Sequence, residues 1–284
     1  MSRPDDATPG RVRSFLFEAL DVRGAWVRLD DAWREMIAGR DYAGPARDLL
    51  GQLAAATALI AANLKQAGRL TFQLRGDGAV SLLVMDCDAQ LRLRGMARAA
   101  DGLEAGTARQ LLGDGALTLT LDAADMRQPY QSHVPIEGDT LAAAFEHYLA
   151  QSEQLPTRLW LAAGVEAAAG LFLQALPGAQ ARDPDGWNRV QILADTVRPD
   201  ELLGLGAIKL IERLFPEEDV RVYDPRPVSY HCPYDPAKID AMLRGIGRAA
   251  CESILAEHGE IRVRDDICNH EYVLDAAAVA ALFE

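Results

Sequence analysis

Residues 69–75 alternate without a break. Leu70, Phe72 and Leu74 fall on one side, and Arg69, Thr71, Gln73 and Arg75 on the other. In a strand, successive side chains point to opposite faces, so this period of two demands a sheet with one buried and one wet face. Gly76-Asp77-Gly78 then leads into the apolar run 80–85, and the two segments read as a hairpin. Leu91 and Leu93 alternate with Arg92 and Arg94. Leu117, Leu119 and Leu121 alternate with Thr118 and Thr120 after a second turn, Gly113-Asp114-Gly115. Several strands with one wet face predict an antiparallel sheet.

Helices are inserted among these strands. Pro45 suits a first helical position, and Leu49, Leu53, Ala56, Ile60 and Leu64 form a core stripe, so a helix is expected over 45–64. A shorter one is expected after Asp30 or Asp31, and another over 139–152. Residues 159–161 and 170–176 read as further strands closed by Pro177-Gly178. After Pro177 the alternation disappears and the chain reads as helical, until Asp224-Pro225-Arg226-Pro227 marks a boundary. The expected class is therefore α+β. An antiparallel-sheet main domain with inserted helices covers 1–178, a helical linker 179–227, and a small C-terminal α+β domain 228–284. That last domain is short for an unsupported core and calls for a metal, a disulfide or docking.

The 284 residues carry a formal charge of −13. An acidic surface disfavours binding to nucleic acid or to an anionic membrane. The most apolar run, 49–64, is interrupted by Gln52, Thr57 and Asn63 and falls short of a membrane span, and the polar N-terminus carries no signal-type stretch, so a cytoplasmic location is expected. The Gly-Asp-Gly loops each precede a strand rather than a helix, which makes them hairpin turns and not phosphate cradles. No Gly-x-Ser-x-Gly and no His-Glu-x-x-His is present, and Glu217-Glu218 reads as a solvated turn. No nucleotide and no enzymatic activity is expected.

The cysteines are the chemistry-bearing residues. Cys87 reads as a strand residue of the core and Cys251 as a buried apolar one. Cys232 follows a short strand, and Cys268 lies in the turn of a strand pair. A structural zinc site takes two ligands from each of two such knuckles, at C-x-C or C-x-x-C spacing. Here the partner positions hold Tyr234 and Asp265.

The chain resembles the redox-regulated heat-shock chaperones, the 33-kDa chaperonins. The resemblance rests on Arg13-Ser-Phe-Leu-Phe-Glu18, Val22-Arg-Gly24, Leu64-Lys65, Gln73-Leu-Arg-Gly-Asp-Gly78, Leu93-Arg-Gly95 and Gly113-Asp-Gly115. It continues through Gln128-Pro-Tyr130, Val134-Pro135, Ser152-Glu-Gln-Leu-Pro-Thr157, Gly170-Leu-Phe-Leu-Gln174 and Leu176-Pro-Gly178. In the tail it rests on Ser253-Ile-Leu-Ala-Glu257, Gly259-Glu-Ile261 and Tyr272. It implies a holdase that captures unfolding clients without ATP, dimers on activation, and a C-terminal zinc domain. In such chaperones oxidation ejects zinc, forms disulfides and unfolds the linker.

At the zinc site the sequence departs from that pattern. Cys232 and Cys268 match the first and fourth ligands, while Tyr234 and Asp265 replace the second and third. Three arrangements are open. The tail packs by apolar contacts alone and the redox control is weakened or lost; this follows most directly from two missing thiolates. Alternatively Cys232 and Cys268 hold zinc with Asp265 and a nearby histidine, His231 or His270. In the third, Cys232 and Cys268 join in one disulfide, which closes a loop worth about 4 kcal/mol and stabilises the tail on oxidation. Two other functions compete with the holdase: a thiol–disulfide redox protein, for which no Cys-x-x-Cys survives, and a regulatory partner-binding module.

Overall fold

The computed structural model describes residues 10–64, 68–123, 126 and 128–283, and the chain divides into two compact units between His231 and Cys232. The first unit begins with β1 (Arg11–Phe17), β2 (Val22–Leu29), α1 (Asp31–Ile37), α2 (Gly44–Asn63), β3 (Gly68–Gly76), β4 (Val80–Cys87) and β5 (Arg92–Ala99). It continues with α3 (Ala108–Leu112), β6 (Gly115–Ala123), β7 (Tyr130–Pro135), α4 (Leu141–Ser152), β8 (Thr157–Ala163) and β9 (Ala168–Ala175). Then come α5 (Ala179–Arg182), α6 (Gly186–Ala194), α7 (Pro199–Gly204), α8 (Ala207–Leu214), β10 (Val220–Val222), β11 (Arg226–Pro227) and β12 (Ser229–Tyr230). The class is α+β, as the alternation requires.

Two sheets organise this unit. One has the order β10-β1-β2-β9-β8, with β11 also on β1; the other runs β12-β5-β4-β3-β6-β7. All pairings are antiparallel except the short parallel addition of β12 to β5. The alternating residues of β3 behave as their period dictates. Phe72 stands opposite Met85 of β4 and Leu119 of β6, so three apolar side chains line one row of the inner face. On the outer face Asp86 is only 5% exposed and needs partners. Thr71 Oγ1 and Arg94 Nε each donate to it at 2.8 Å, and Arg69 adds a third donor.

The first Gly-Asp-Gly is the expected hairpin turn between β3 and β4. The second is not: Gly113-Asp114-Gly115 joins α3 to β6, which pairs with β3 and β7. The two motifs face each other. Gly78 N–H donates to Leu112 O at 2.9 Å and Asp114 N–H to Asp77 Oδ1 at 2.8 Å. A Cβ at Gly76 would collide with the Leu112 carbonyl, so a glycine is required there by backbone approach.

Helix α2 also differs from its expected single stripe. It is buried all round, at Leu49, Leu50, Leu53 and every residue from Ala54 to Ile60. The reason is its position: it packs against β2, β8 and β9 of one sheet and against β4 and β5 of the other. A helix covered on opposite sides needs apolar residues on both.

The first sheet is covered on both faces. Val27, Leu29, Ala168 and Phe172 join the core around α2. Phe15, Phe17, Trp26, Leu171 and Leu173 join a second apolar layer beneath α6, α7 and α8. Residues 179–227 thus belong to the first unit. Glu218 is not merely solvated, because Arg189 Nε donates to it at 2.7 Å.

Cys87 closes β4, 1% exposed. Burial, reinforced by the neighbouring Asp88 and Asp86 carboxylates, pushes its thiol up to about 12. A thiol held protonated and covered is a poor nucleophile. Cys87 is therefore expected to resist iodoacetamide at pH 8 in the native chain and to alkylate once guanidinium unfolds it. Peptide mass spectrometry reads both states, and labelling of Cys87 in the native chain would contradict the burial argument.

The second unit holds α9 (Pro236–Ile246), α10 (Arg248–His258), β13 (Ile261–Asp265), β14 (His270–Leu274) and α11 (Ala276–Ala281). Its core is small: Ile239, Leu243, Cys251, Ile261, Tyr272 and Val279. Among the described residues, no helix is long and apolar enough to cross a membrane.

Candidate functional site: a paired-cysteine centre

Local sequence explains how the second unit presents its cysteines. Asp235 caps α9 by accepting the Lys238 N–H at 3.2 Å, with Pro236 at the first helical position. This cap ends the segment that carries Cys232. On the other side, β13 and β14 pair from Ile261↔Leu274 to Asp265↔His270, which leaves 266–269 as the connecting turn. Asn269 takes a positive φ of 58°, a conformation asparagine tolerates better than most residues. Asp265 organises the turn: its Oδ1 accepts the N–H of Ile267 at 3.0 Å and of Cys268 at 3.3 Å. Its Oδ2 accepts from Lys238 Nζ at 3.2 Å.

The turn brings Cys268 to Cys232, with Cα atoms 5.4 Å apart, and the two sulfurs are bonded as a disulfide. The expectation that the tail packs by apolar contacts alone is thereby corrected: a covalent link joins its two knuckles. Cys268 is buried and Cys232 half-buried. Next to the link, Tyr234 stacks on Tyr272 with ring centroids 4.4 Å apart and 17° between planes, and the His270 ring lies 5.7 Å from Tyr234. Tyr272 Oη accepts the Asp235 N–H at 3.0 Å. Tyr234, 59% exposed, thus lies over the Tyr272 ring from the solvent side at the position where a thiolate would stand.

The other candidate ligands do not converge. His231 is exposed, and its N–H donates to Leu93 O at 3.0 Å within the first unit. His270 Nδ1 is buried without a hydrogen-bond partner. Lys238 and Tyr272 are site residues that the sequence reading did not assign; the Asp-Pro-x-Lys cap of α9 was the available signal for Lys238.

The Asp265 carboxyl is tuned by this turn. Burial pushes it up, but the Cys268 N–H, the Lys238 ammonium and the Ile267 N–H outweigh burial and hold it below the ordinary value of 3.8. A carboxyl held lower in the folded state contributes stability above the ordinary carboxylate range and loses it as pH falls through the folded value. Amide protection in β13 and β14 is therefore expected to fall below about pH 4. Asp265→Asn should remove that part of the acid dependence; an unchanged acid profile would contradict the assigned role.

A model of the Hsp33 protein family matches residues 10–275. The chain belongs to the Hsp33 family. It is 42% identical over 271 residues to the 33 kDa chaperonin of Methylobacillus flagellatus, covering 95% of this chain and 92% of that one. It is 41% identical over 276 residues to the 33 kDa chaperonin of Pseudomonas paraeruginosa, covering 95% and 93%. The crystal structure of the 33 kDa chaperonin of Thermotoga maritima superposes with a TM-score of 0.84, at 20% identity, over 97% of this chain and 98% of that one. That likeness establishes a shared fold.

The zinc centre expected from the resemblance does not fit the residues of this chain. A tetrahedral site needs four free donors. Here the two sulfurs bond each other, Tyr234 stacks on Tyr272, and Asp265 accepts from the turn through Oδ1 and from Lys238 of α9 through Oδ2. Among the described residues, no three His, Cys, Asp or Glu side chains come together as a metal-holding group.

Proposed function

We propose that this chain is an ATP-independent holdase chaperone of the cytoplasm that captures proteins as they unfold under heat or oxidative stress. The family match over 10–275 carries the reading, and the names of the relatives support it. The chain acts as a binding protein rather than an enzyme, with unfolded polypeptide as its partner. Its control does not run through a four-thiolate zinc site.

The apolar layer under α6, α7 and α8 is the client surface in this reading. Those helices have 9, 6 and 8 residues. Helices so short are held by tertiary packing rather than by their own propensity. Lifting them would bare Phe15, Phe17, Leu171 and Leu173. A contiguous apolar face of that kind binds exposed hydrophobic segments of other chains. Beside α8 a groove of about 520 Å³ opens, lined by Ile208, Ile211, Phe215, Val220 and Val222 together with the carboxylates of Glu212 and Glu218.

The test is light scattering from a thermally unfolding client mixed with the purified chain, without ATP, in reducing and in oxidising buffer. Suppression of aggregation in either buffer is expected. Aggregation unchanged in both would refute the holdase and leave a partner-binding module without chaperone activity.

A further inference from the structure

The sheet face beneath α6, α7 and α8 differs in charge from the chain as a whole. Cross-strand partners share a face, and the registers place Arg13, Trp26, Leu171 and Trp160 in one row across β1, β2, β9 and β8. The next row holds Phe15, Gly24, Leu173 and Arg158. The charged residues that these four strands place on the face are Arg11, Arg13, Arg28 and Arg158, with no carboxylate among them, although the chain carries a formal charge of −13. The other polar groups on it are the indole N–H groups of Trp26 and Trp160. Every polar side chain that the strands present there is therefore a donor.

The covering helices answer some of these donors and leave one unanswered. Asp195, which ends α6, accepts through Oδ1 from Arg158 Nη2 at 3.2 Å and from Trp160 Nε1 at 3.0 Å. A carboxylate of the cover thus sits where the face gathers its donors. Trp26 is 7% exposed, and its Nε1 has no hydrogen-bond partner among the described residues. A buried donor without an acceptor costs free energy in the closed state and is relieved by an acceptor that arrives with a ligand. Trp26 and Trp160 stand two strands apart, about 10 Å, which is the reach of about three extended residues. We infer that this face, once bared, selects acidic apolar segments of unfolding polypeptide. A client carboxylate replaces Asp195 between Arg158 and Trp160. A client backbone carbonyl about three residues away accepts from Trp26, and apolar client side chains lie on Phe15, Leu171 and Leu173. Asp195 is the internal competitor for that carboxylate. A basic segment meets only like charge and unmatched donors there.

This selectivity rests on the holdase reading, because the face opens only when α6, α7 and α8 lift. Three fluorescent peptides test it. All carry leucine and phenylalanine at the same positions, spaced by glutamate, by glutamine or by lysine. Their affinity for the full chain is read by anisotropy at room temperature and at the onset of heat activation. At the higher temperature the glutamate peptide should bind about tenfold tighter than the glutamine peptide at low ionic strength, and the lysine peptide weakest. That preference should shrink as salt is raised to about 0.5 M. Arg158→Gln should reduce it to about twofold or less. If that variant does not fold, Trp26→Phe keeps a ring and removes the donor, and should weaken the glutamate peptide about fivefold. Asp195→Ala should raise the affinity of the glutamate peptide more than that of the other two, whereas a cover that is merely loosened would raise all three alike. Equal binding of the three peptides, or a preference for lysine, would overturn the selectivity and leave the holdase standing. Binding of none would overturn both.

Discussion

Phe72→Ala is expected to lower the stability of the first unit by about 3–5 kcal/mol, the range for truncating a fully enclosed aromatic. Phe72 is 0% exposed. Its ring meets Phe145 of α4 edge to face with centroids 4.8 Å apart, and Tyr148 at 6.4 Å. Truncation removes the contact between the inner face of the second sheet and α4. The hole cannot close easily, because Met85 and Leu119, its row neighbours, are fixed by the strand register. Phe72→Leu keeps most of the volume and should cost markedly less. All four tryptophans, Trp26, Trp33, Trp160 and Trp187, lie in the first unit, so tryptophan fluorescence during guanidinium unfolding follows that unit alone. A shift of the midpoint equivalent to less than about 1 kcal/mol would mean that α4 repacks over the gap.

The same strand shows why part of this fold is legible in sequence. β3 to β6 have one wet face, so their period of two survives in the residues. β9 is buried along its whole length and reads as an apolar run. β1 and β2 are harder to recognise, because the sheet they form is covered on both faces and Ser14, Gly24 and Ala25 interrupt the pattern. α2 shows a stripe only because leucines stand out among alanines; that the alanines are buried too follows from the second sheet above it. The second Gly-Asp-Gly misleads because its sequence equals that of the first, and only the register of β6 on β3 separates a hairpin turn from a helix exit.

The candidate site divides in the same way. Cys232 and Cys268 stand out by their position in two knuckles, and the loss of their partners is visible at Tyr234 and Asp265. What those replacements do is not visible. Tyr234 gains meaning from Tyr272 across a strand, and Asp265 from a turn whose N–H groups it collects. A disulfide requires a Cα separation that spacing along the chain does not contain. The arrangement that followed most directly from counting ligands was therefore not the one found.

Leu210→Ala is expected to separate the two apolar layers of the first unit. Leu210 is 0% exposed and sits in the layer beneath the helices, together with Leu214 and Ile211. Its truncation should cost about 2–5 kcal/mol. The other layer, around α2, lies on the far side of the first sheet and keeps Phe72, Leu53 and Leu59 in place. The loss should therefore fall on 179–215 first, because short helices depend on that contact and strands of the second sheet do not. Amides of α6, α7 and α8 should exchange faster while those of β3, β4 and β6 keep their protection. Trp26, at 7% exposure in the same layer, should report the change as a fluorescence shift. If the bared face is the client surface, this variant suppresses aggregation at lower temperature than the wild-type chain and needs no oxidant. Faster exchange in α8 with unchanged client capture would locate client binding elsewhere on the molecule. Equal loss of protection in both sheets would mean that the helices and the sheets unfold as one unit, and the mechanism of release by lifting α6, α7 and α8 would fall.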